Sequence, residues 1–380
     1  MEFLPFMVDV PQQTLDDLQV RLAMTRWPHQ NEGIGWSEGV DLNYLRELVE
    51  YWQDGFDWRA SEKQQNRWNQ FTTTISGQSV HFFHIRSSHT DARPLMLTHG
   101  WPSTPLEFLK VVELLTEPLQ HGGTAADAFH LVIPTMPGYG WSGPTTEPGW
   151  HAGRIAAAWL ELMTGLGYER FATHGTDWGS IVSSEMARQS PDRVIALHVT
   201  LLPSGVRPVD GGFTREEEEQ LAANAVVRAR ESGYVVLQST KPQTLAYALT
   251  DSPVGQAAWI LEKLYSWTDW DDDFESVVTK DDILSSVTTF WVTGTGGSSG
   301  RLYYEGAKAA VDSRAPSARV DVPTGVAAFP KELYPTSRRI ASMYFNIEHW
   351  TPMPRGGHFS ALEQPQLLVD DLRVFLRDRV

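Results

Sequence analysis

The stretch Thr173-His174-Gly175-Thr176-Asp177-Trp178-Gly179-Ser180 has the small-x-reactive-x-small frame of a turn that thrusts one side chain out of a strand-to-helix junction. Aspartate stands at its centre, where acyl transfer ordinarily uses serine. Three readings meet these residues: a serine enzyme that lost its nucleophile, an N-cap at an ordinary turn, or chemistry that needs a carboxylate. A carboxylate has a reference pKa of about 3.9, is ionised at neutral pH and attacks carbon without a base to activate it. Two literal G-x-S-x-G runs compete, at 35–39 and 296–300. The first precedes every sheet strand that the sequence places, and the second reads as a floppy glycine-serine loop. Neither has a strand before it and a helix behind it, so Ser37 and Ser298 are decoys.

Groups that could serve Asp177 follow in order. "HGWP" at 99–102 ends an apolar strand, where a neighbouring loop donates a backbone N–H to a developing oxyanion. Trp101 is the expected donor there and Trp178, the residue after the nucleophile, the second. His99, Gly100 and Pro102 complete that binding loop. His358, in "RGGHFSALEQP", precedes the last helix, where a general base belongs in the order nucleophile, acid, histidine. Glu332, directly after a late strand, is the acid that best fits. Glu348 is its rival but lies within an apparent strand, and Asp321 is at a strand start, the wrong end.

The elements that must hold these residues read as follows. Leu15, Leu18 and Leu22 mark a helix at 14–24, and a second runs over 41–53 behind Asp41 as N-cap. A hairpin over 71–85 turns at Ser76-Gly77. Short apolar runs then end in loops at 94–102, 129–144, 170–175 and 194–200, with helices at 151–166 and 179–189 between them. That alternation predicts an α/β fold, a mostly parallel sheet with helices on both faces. The rhythm breaks near 205, becomes helical through 214–232 and 253–267, passes the acidic loop 267–274, and returns at 318–330, 343–353 and a closing helix over 360–378. A helical block inserted at a strand end lies over the binding edge of such a sheet.

Composition narrows the classes. At 380 residues and 41% hydrophobic, the chain can bury a large core, and fifteen tryptophans suit apolar pockets. A formal charge of −16 argues against nucleic acid and anionic membranes as partners. Without a cysteine there is no disulfide, thiolate nucleophile or cysteine-held metal. The opening "MEFLPFMVDVPQQ" is no signal peptide, no apolar run is long enough to span a bilayer, and a cytoplasmic location is expected. No metal or cofactor is expected, and a homodimer is compatible with this reading.

Taken together, "HGWP", "GTDWGS" (175–180), "FPKE" (329–332) and "RGGHF" (355–359) resemble the α/β-hydrolase-fold epoxide hydrolases, in the microsomal and juvenile-hormone branch with its bacterial and fungal relatives. The segment 11–28 resembles that branch's N-terminal meander and 231–264 its cap, so the likeness covers nearly the whole chain. It implies a meander with the first hairpin at 1–90, an α/β-hydrolase core at 91–204 and 305–380, and a helical cap at 205–304, without a membrane anchor. "GTD" departs from the commoner "GGD". The resemblance further implies two cap tyrosines that hold the epoxide oxygen: Tyr234 in "ESGY" and Tyr303 in "SGRLYYEG", with Tyr304 adjacent.

The implied chemistry uses Asp177 as nucleophile on an epoxide carbon, with a phenol proton for the departing oxygen. His358, oriented by Glu332, then activates water against the resulting ester, and the diol leaves. A serine would form a stable ether with no carbonyl to hydrolyse. Haloalkane dehalogenases share the elbow but need no phenols, and a non-catalytic receptor on this fold would not need the full triad. The aromatic content points to an apolar or aryl-substituted epoxide, in biosynthesis or detoxification alike.

Overall fold

Apolar residues alternate on both faces of the strands, and the two halves of the core follow from that period of two. The computed structural model of the protein describes residues 1–202, 212–313, 318–377 and 379. Nine strands form one sheet: β1 (Leu4–Phe6), β2 (Gln70–Ile75), β3 (Gln78–Ile85), β4 (Arg93–Thr98), β5 (Phe129–Pro134), β6 (Phe171–Gly175), β7 (Val194–Val199), β8 (Val320–Ala328) and β9 (Phe345–Pro352). Their spatial order is β1-β2-β3-β5-β4-β6-β7-β8-β9. The pairs from β1 to β5 are antiparallel and the rest parallel. This is the α/β-hydrolase architecture that the motifs imply. Ser76 and Gly77 both have positive φ, 51° and 77°, the conformation of a two-residue hairpin turn whose twist matches the strands.

Leu95, Leu97, Phe129, Leu131 and Ile133 point to one face, where Leu368, Leu372 and Phe375 of the last helix cover them. Met96, Val132, Phe82 and Leu197 point to the other, against Ile155, Trp159 and Leu162 of helix Ala152–Gly165. Each such leucine is fully buried, and truncating one to alanine costs roughly 2–5 kcal/mol. Asp41 caps helix Leu42–Asp54 by accepting the N–H groups of Asn43 and Tyr44, both at 2.9 Å.

Between β7 and β8 the described chain is helical, from Arg215–Glu231 to Arg301–Ser313. The cap start inferred at 205 lies outside the described residues, and the boundary inferred at 304/305 falls inside the last of these helices. This segment meets the carboxyl ends of the parallel strands. Trp267 accepts the His358 N–H at 2.9 Å, and Tyr234 stacks on Trp101. No helix among the described residues is long and apolar enough to cross a membrane.

Four readings of the sequence need correction. The edge strand β1 precedes Gly35, so that decoy does not precede the whole sheet; three residues carry too little pattern to be seen. The elbow helix begins at Asp177, two residues earlier than expected. The closing helix is broken into Ser360–Glu363 and Pro365–Leu376, because proline cannot continue a helix but suits the first turn of a new one. Residues 296–299 form a helical turn, not a floppy loop. A Cβ on Gly296 would lie 2.4 Å from Gln256 and one on Gly297 2.6 Å from Ala246, so packing demands the glycines.

Candidate active site

Strand β6 delivers Asp177 to the sheet edge, and the elbow there is tight. Asp177 has φ +46°, a left-handed conformation that a non-glycine residue adopts only under constraint. A Cβ on Gly179 would sit 1.8 Å from the carbonyl oxygen of Thr98, so this helix crosses the end of β4 only with glycine there. Thr176, which departs from "GGD", has its own partner: its hydroxyl donates to Glu107 Oε1 at 2.6 Å.

The "HGWP" loop follows β4. Trp101 N–H donates to Asp177 Oδ1 at 2.8 Å. A Cβ on Gly100 would fall 2.3 Å from Asp177, so a side chain there would displace the carboxylate. His99 is buried, accepting the Met136 N–H at Nε2 (3.1 Å) and donating from Nδ1 to the Gly100 carbonyl (3.0 Å). Burial drives its pKa down to about 4. Both ring nitrogens serve the backbone, so His99 shapes the loop. Pro102 is buried beside it, joined to Trp101 by a cis peptide bond. Trp178 is the second residue of the elbow helix, where N–H groups have no intrahelical acceptor.

His358 and Glu332 converge from two loops that a bridge between Lys331 and Gly357 holds side by side. His358 Nδ1 lies 2.6 Å from Glu332 Oε1, and its Nε2 lies 3.5 Å from Asp177 Oδ2. Burial opposes a charge on this imidazole. Glu332 and Asp177 overcome that and hold its pKa well above the ordinary value. Glu348 instead pairs with Arg379 at 2.6 Å, and Asp321 with Arg319, also at 2.6 Å.

Two phenols close the chamber from above. Of the two neighbours, Tyr303 is 6% exposed and packs in an edge contact with Trp178, whereas Tyr304 is 41% exposed. Tyr234 stacks on Trp101 at 5.1 Å and meets Tyr303 at 5.7 Å between ring centroids. Burial, with Asp177's charge also contributing, pushes both phenols above their ordinary pKa, so both keep their protons at neutral pH. Of the decoys, Ser37 Oγ donates to the Ile34 carbonyl and Ser298 Oγ to that of Gly138; neither bonds a histidine.

Sequence reasoning missed three residues. Tyr139, on the loop after β5, is fully buried within reach of Asp177's charge, and its hydroxyl has no partner. Glu363 accepts the N–H groups of Gly357 (2.8 Å), Phe359 (2.8 Å) and Asp269 (2.9 Å), fastening the His358 loop to the acidic loop of the helical segment. Glu107 lies under the elbow, and burial pushes its pKa up to about 7. An acid inside the apolar run "PLEFLKV" was its one signal.

Comparison with known proteins agrees with this geometry. Residues 3–108 match the family model for the epoxide hydrolase N terminus, and residues 93–273 match the α/β hydrolase fold. A Stigmatella aurantiaca protein provisionally named an epoxide hydrolase is 43% identical over 98% of this chain and 84% of its own length. Pig epoxide hydrolase 1 is 35% identical over 98% of this chain and 88% of its own. The crystal structure of juvenile hormone epoxide hydrolase from the silkworm Bombyx mori matches with a TM-score of 0.90 at 28% identity, over 99% of this chain and 94% of that one. Relatives this alike along nearly their whole length share more than a fold, and the chain belongs to the epoxide hydrolase family: it is an enzyme whose substrates are a small epoxide and water.

Proposed function

We propose that the enzyme opens an apolar or aryl-substituted epoxide through a covalent ester on Asp177. The observation that carries this is the placement of one carboxylate: Oδ1 against the Trp101 N–H at 2.8 Å, Oδ2 against His358 Nε2 at 3.5 Å, beneath two protonated phenols. Asp177 attacks a ring carbon, the C–O bond breaks, and Tyr234 and Tyr303 receive the departing oxygen, one of them giving its proton. A halide-releasing reaction would leave these phenols without a task.

Esterification removes one of the two negative charges facing His358. Its pKa then falls, and the residue becomes a base able to take a proton from water, while Glu332 fixes its tautomer and stabilises the imidazolium. Hydroxide adds to the Asp177 carbonyl carbon, with the backbone N–H groups of Trp101 and Trp178 as oxyanion donors. The helical segment from Arg215–Glu231 through Arg301–Ser313 acts as a cap that brings the phenols and excludes water. The rings of Trp101, Trp178 and Trp267 pack against the two phenols, and such apolar surroundings support the substrate class.

Intact-mass measurement tests this. His358→Gln mixed with styrene oxide should gain the mass of one epoxide and hold it. Normal turnover by that variant would remove His358 from the reaction. In wild type, a single turnover in heavy-oxygen water should label Asp177 and leave the first diol unlabelled.

A further inference from the structure

Helix Pro253–Trp267 buries a lysine against the chamber roof. Lys263 is 5% exposed, and its ammonium lies 4.7 Å from the centre of the Tyr234 ring and 5.7 Å from that of Trp267. Glu262, the preceding residue, pairs with it. A lysine loses hydration at this depth and is seldom so buried without a specific partner. Packing alone is a weak reason for the residue, because methionine would fill the same volume without the desolvation. The second phenol differs: Tyr303 meets Trp178 in an edge contact at 5.0 Å, and among the described residues no cation lies over its ring.

We propose that Lys263 is a positioning residue for ring opening that makes Tyr234, rather than Tyr303, the phenol that delivers the proton. The inference rests on the reading of Tyr234 as an oxygen donor given above. As Asp177 bonds to carbon and the ring C–O bond breaks, the electron pair stays on oxygen and takes the Tyr234 proton. Negative charge is left on the phenol, and an ammonium against the ring face stabilises it through the π system. Burial and Asp177 make that phenol reluctant to ionise, so a nearby cation has a barrier to lower. Hydrolysis of the ester regenerates the Asp177 acid, which ionises and returns a proton to the phenolate. Epoxide plus water becomes diol with no net change in the enzyme.

Ring opening of styrene oxide, followed in single turnover by tryptophan fluorescence, separates the cases. Lys263→Met should slow ring opening about thirtyfold, the size of a desolvated cation–π contact, with ester hydrolysis unchanged. Lys263→Arg should recover most of the rate. In a Tyr234→Phe background Lys263→Met should add no further loss, because the ring remains while the ionising proton is gone. Equal losses in both backgrounds, or no loss in either, would overturn the inference and reduce Lys263 to packing. If Tyr234→Phe alone opens the ring at the normal rate, the donor reading fails first, and visibly so. Lys263→Gln, which keeps a polar end for Glu262, repeats the test should methionine unfold the helix.

Discussion

The floor of the chamber and its roof are built by different physics. On the floor, Asp177, His358 and Glu332 hang from the ends of parallel strands, and hydrogen bonds fix them: Trp101 N–H to Asp177, Glu332 to His358, and Glu363 to the backbone on both sides of His358. In the roof, Tyr234 and Tyr303 sit on helices, and ring contacts to Trp101, Trp178 and Trp267 support them. Hydrogen bonds lose strength within a few tenths of an ångström and with small changes of angle. Ring contacts are broad and tolerate sliding. On the proposed mechanism, water activation then falls to the part held most exactingly in direction, and proton delivery to the part able to shift around substrates of different shape. Trp101 belongs to both, its N–H in the floor and its ring under Tyr234.

If that division is sound, the two halves of the reaction should fail separately. The largest effect belongs to the floor. Glu332→Gln leaves His358 without the charge that fixes its tautomer, and loss of the acid from such a triad costs about 10⁴ in rate. The loss should fall on ester hydrolysis, with ring opening nearly normal, as the burst and steady phases of a stopped-flow trace would reveal. A matching fall in the burst would show that floor and roof do not divide the work. Next in size is the roof. A Tyr234→Phe, Tyr303→Phe double variant should slow ring opening by roughly 10²–10⁴, the usual range for a positioned acid. Ester already formed should decay at the wild-type rate. If opening is normal without both phenols, the oxygen has another donor, and the unpartnered hydroxyl of Tyr139 would be the first to examine.

The same division separates what the sequence announces from what it hides. Gly175, Gly179 and Gly100 are dictated by backbone approaching backbone or carboxylate within a few residues of a strand end, and local necessity of that kind leaves a motif. His358 and Glu332 follow from chain order along the sheet. The roof leaves little: Tyr234 and Tyr303 were legible only through resemblance, and nothing local distinguishes Tyr303 from Tyr304 until helix packing buries one of them. Lys263, Glu363 and Glu107 act on residues far away in the chain or through backbone amides, which no spacing records. Gly296 and Gly297 mislead for the reverse reason, since a composition that suggests looseness serves close packing. Pro365 was a readable signal, and the break it makes in the last helix follows from its missing N–H.

Glu107 gives the smallest effect, and it tests whether the floor reaches below the triad. Burial lifts its carboxyl from 4.5 to about 7, so the folded protein keeps a proton that the unfolded chain releases from about pH 4.5 upward. Stability linked to that proton is fully present below the unfolded value and is lost as pH rises through about 7. A rise of that size corresponds to about 3 kcal/mol. Glu107→Gln removes the titration but keeps an oxygen to accept the Thr176 hydroxyl. Urea midpoints of the variant and wild type should nearly coincide at pH 5, and the variant should be the more stable at pH 8. Thr176 immediately precedes Asp177, so a wild-type loss of ring-opening rate over the same pH range, absent in the variant, would extend the floor down to this buried acid. A difference in midpoint that does not change with pH would mean that Glu107 holds no such proton, and that its bond to Thr176 is a matter of packing.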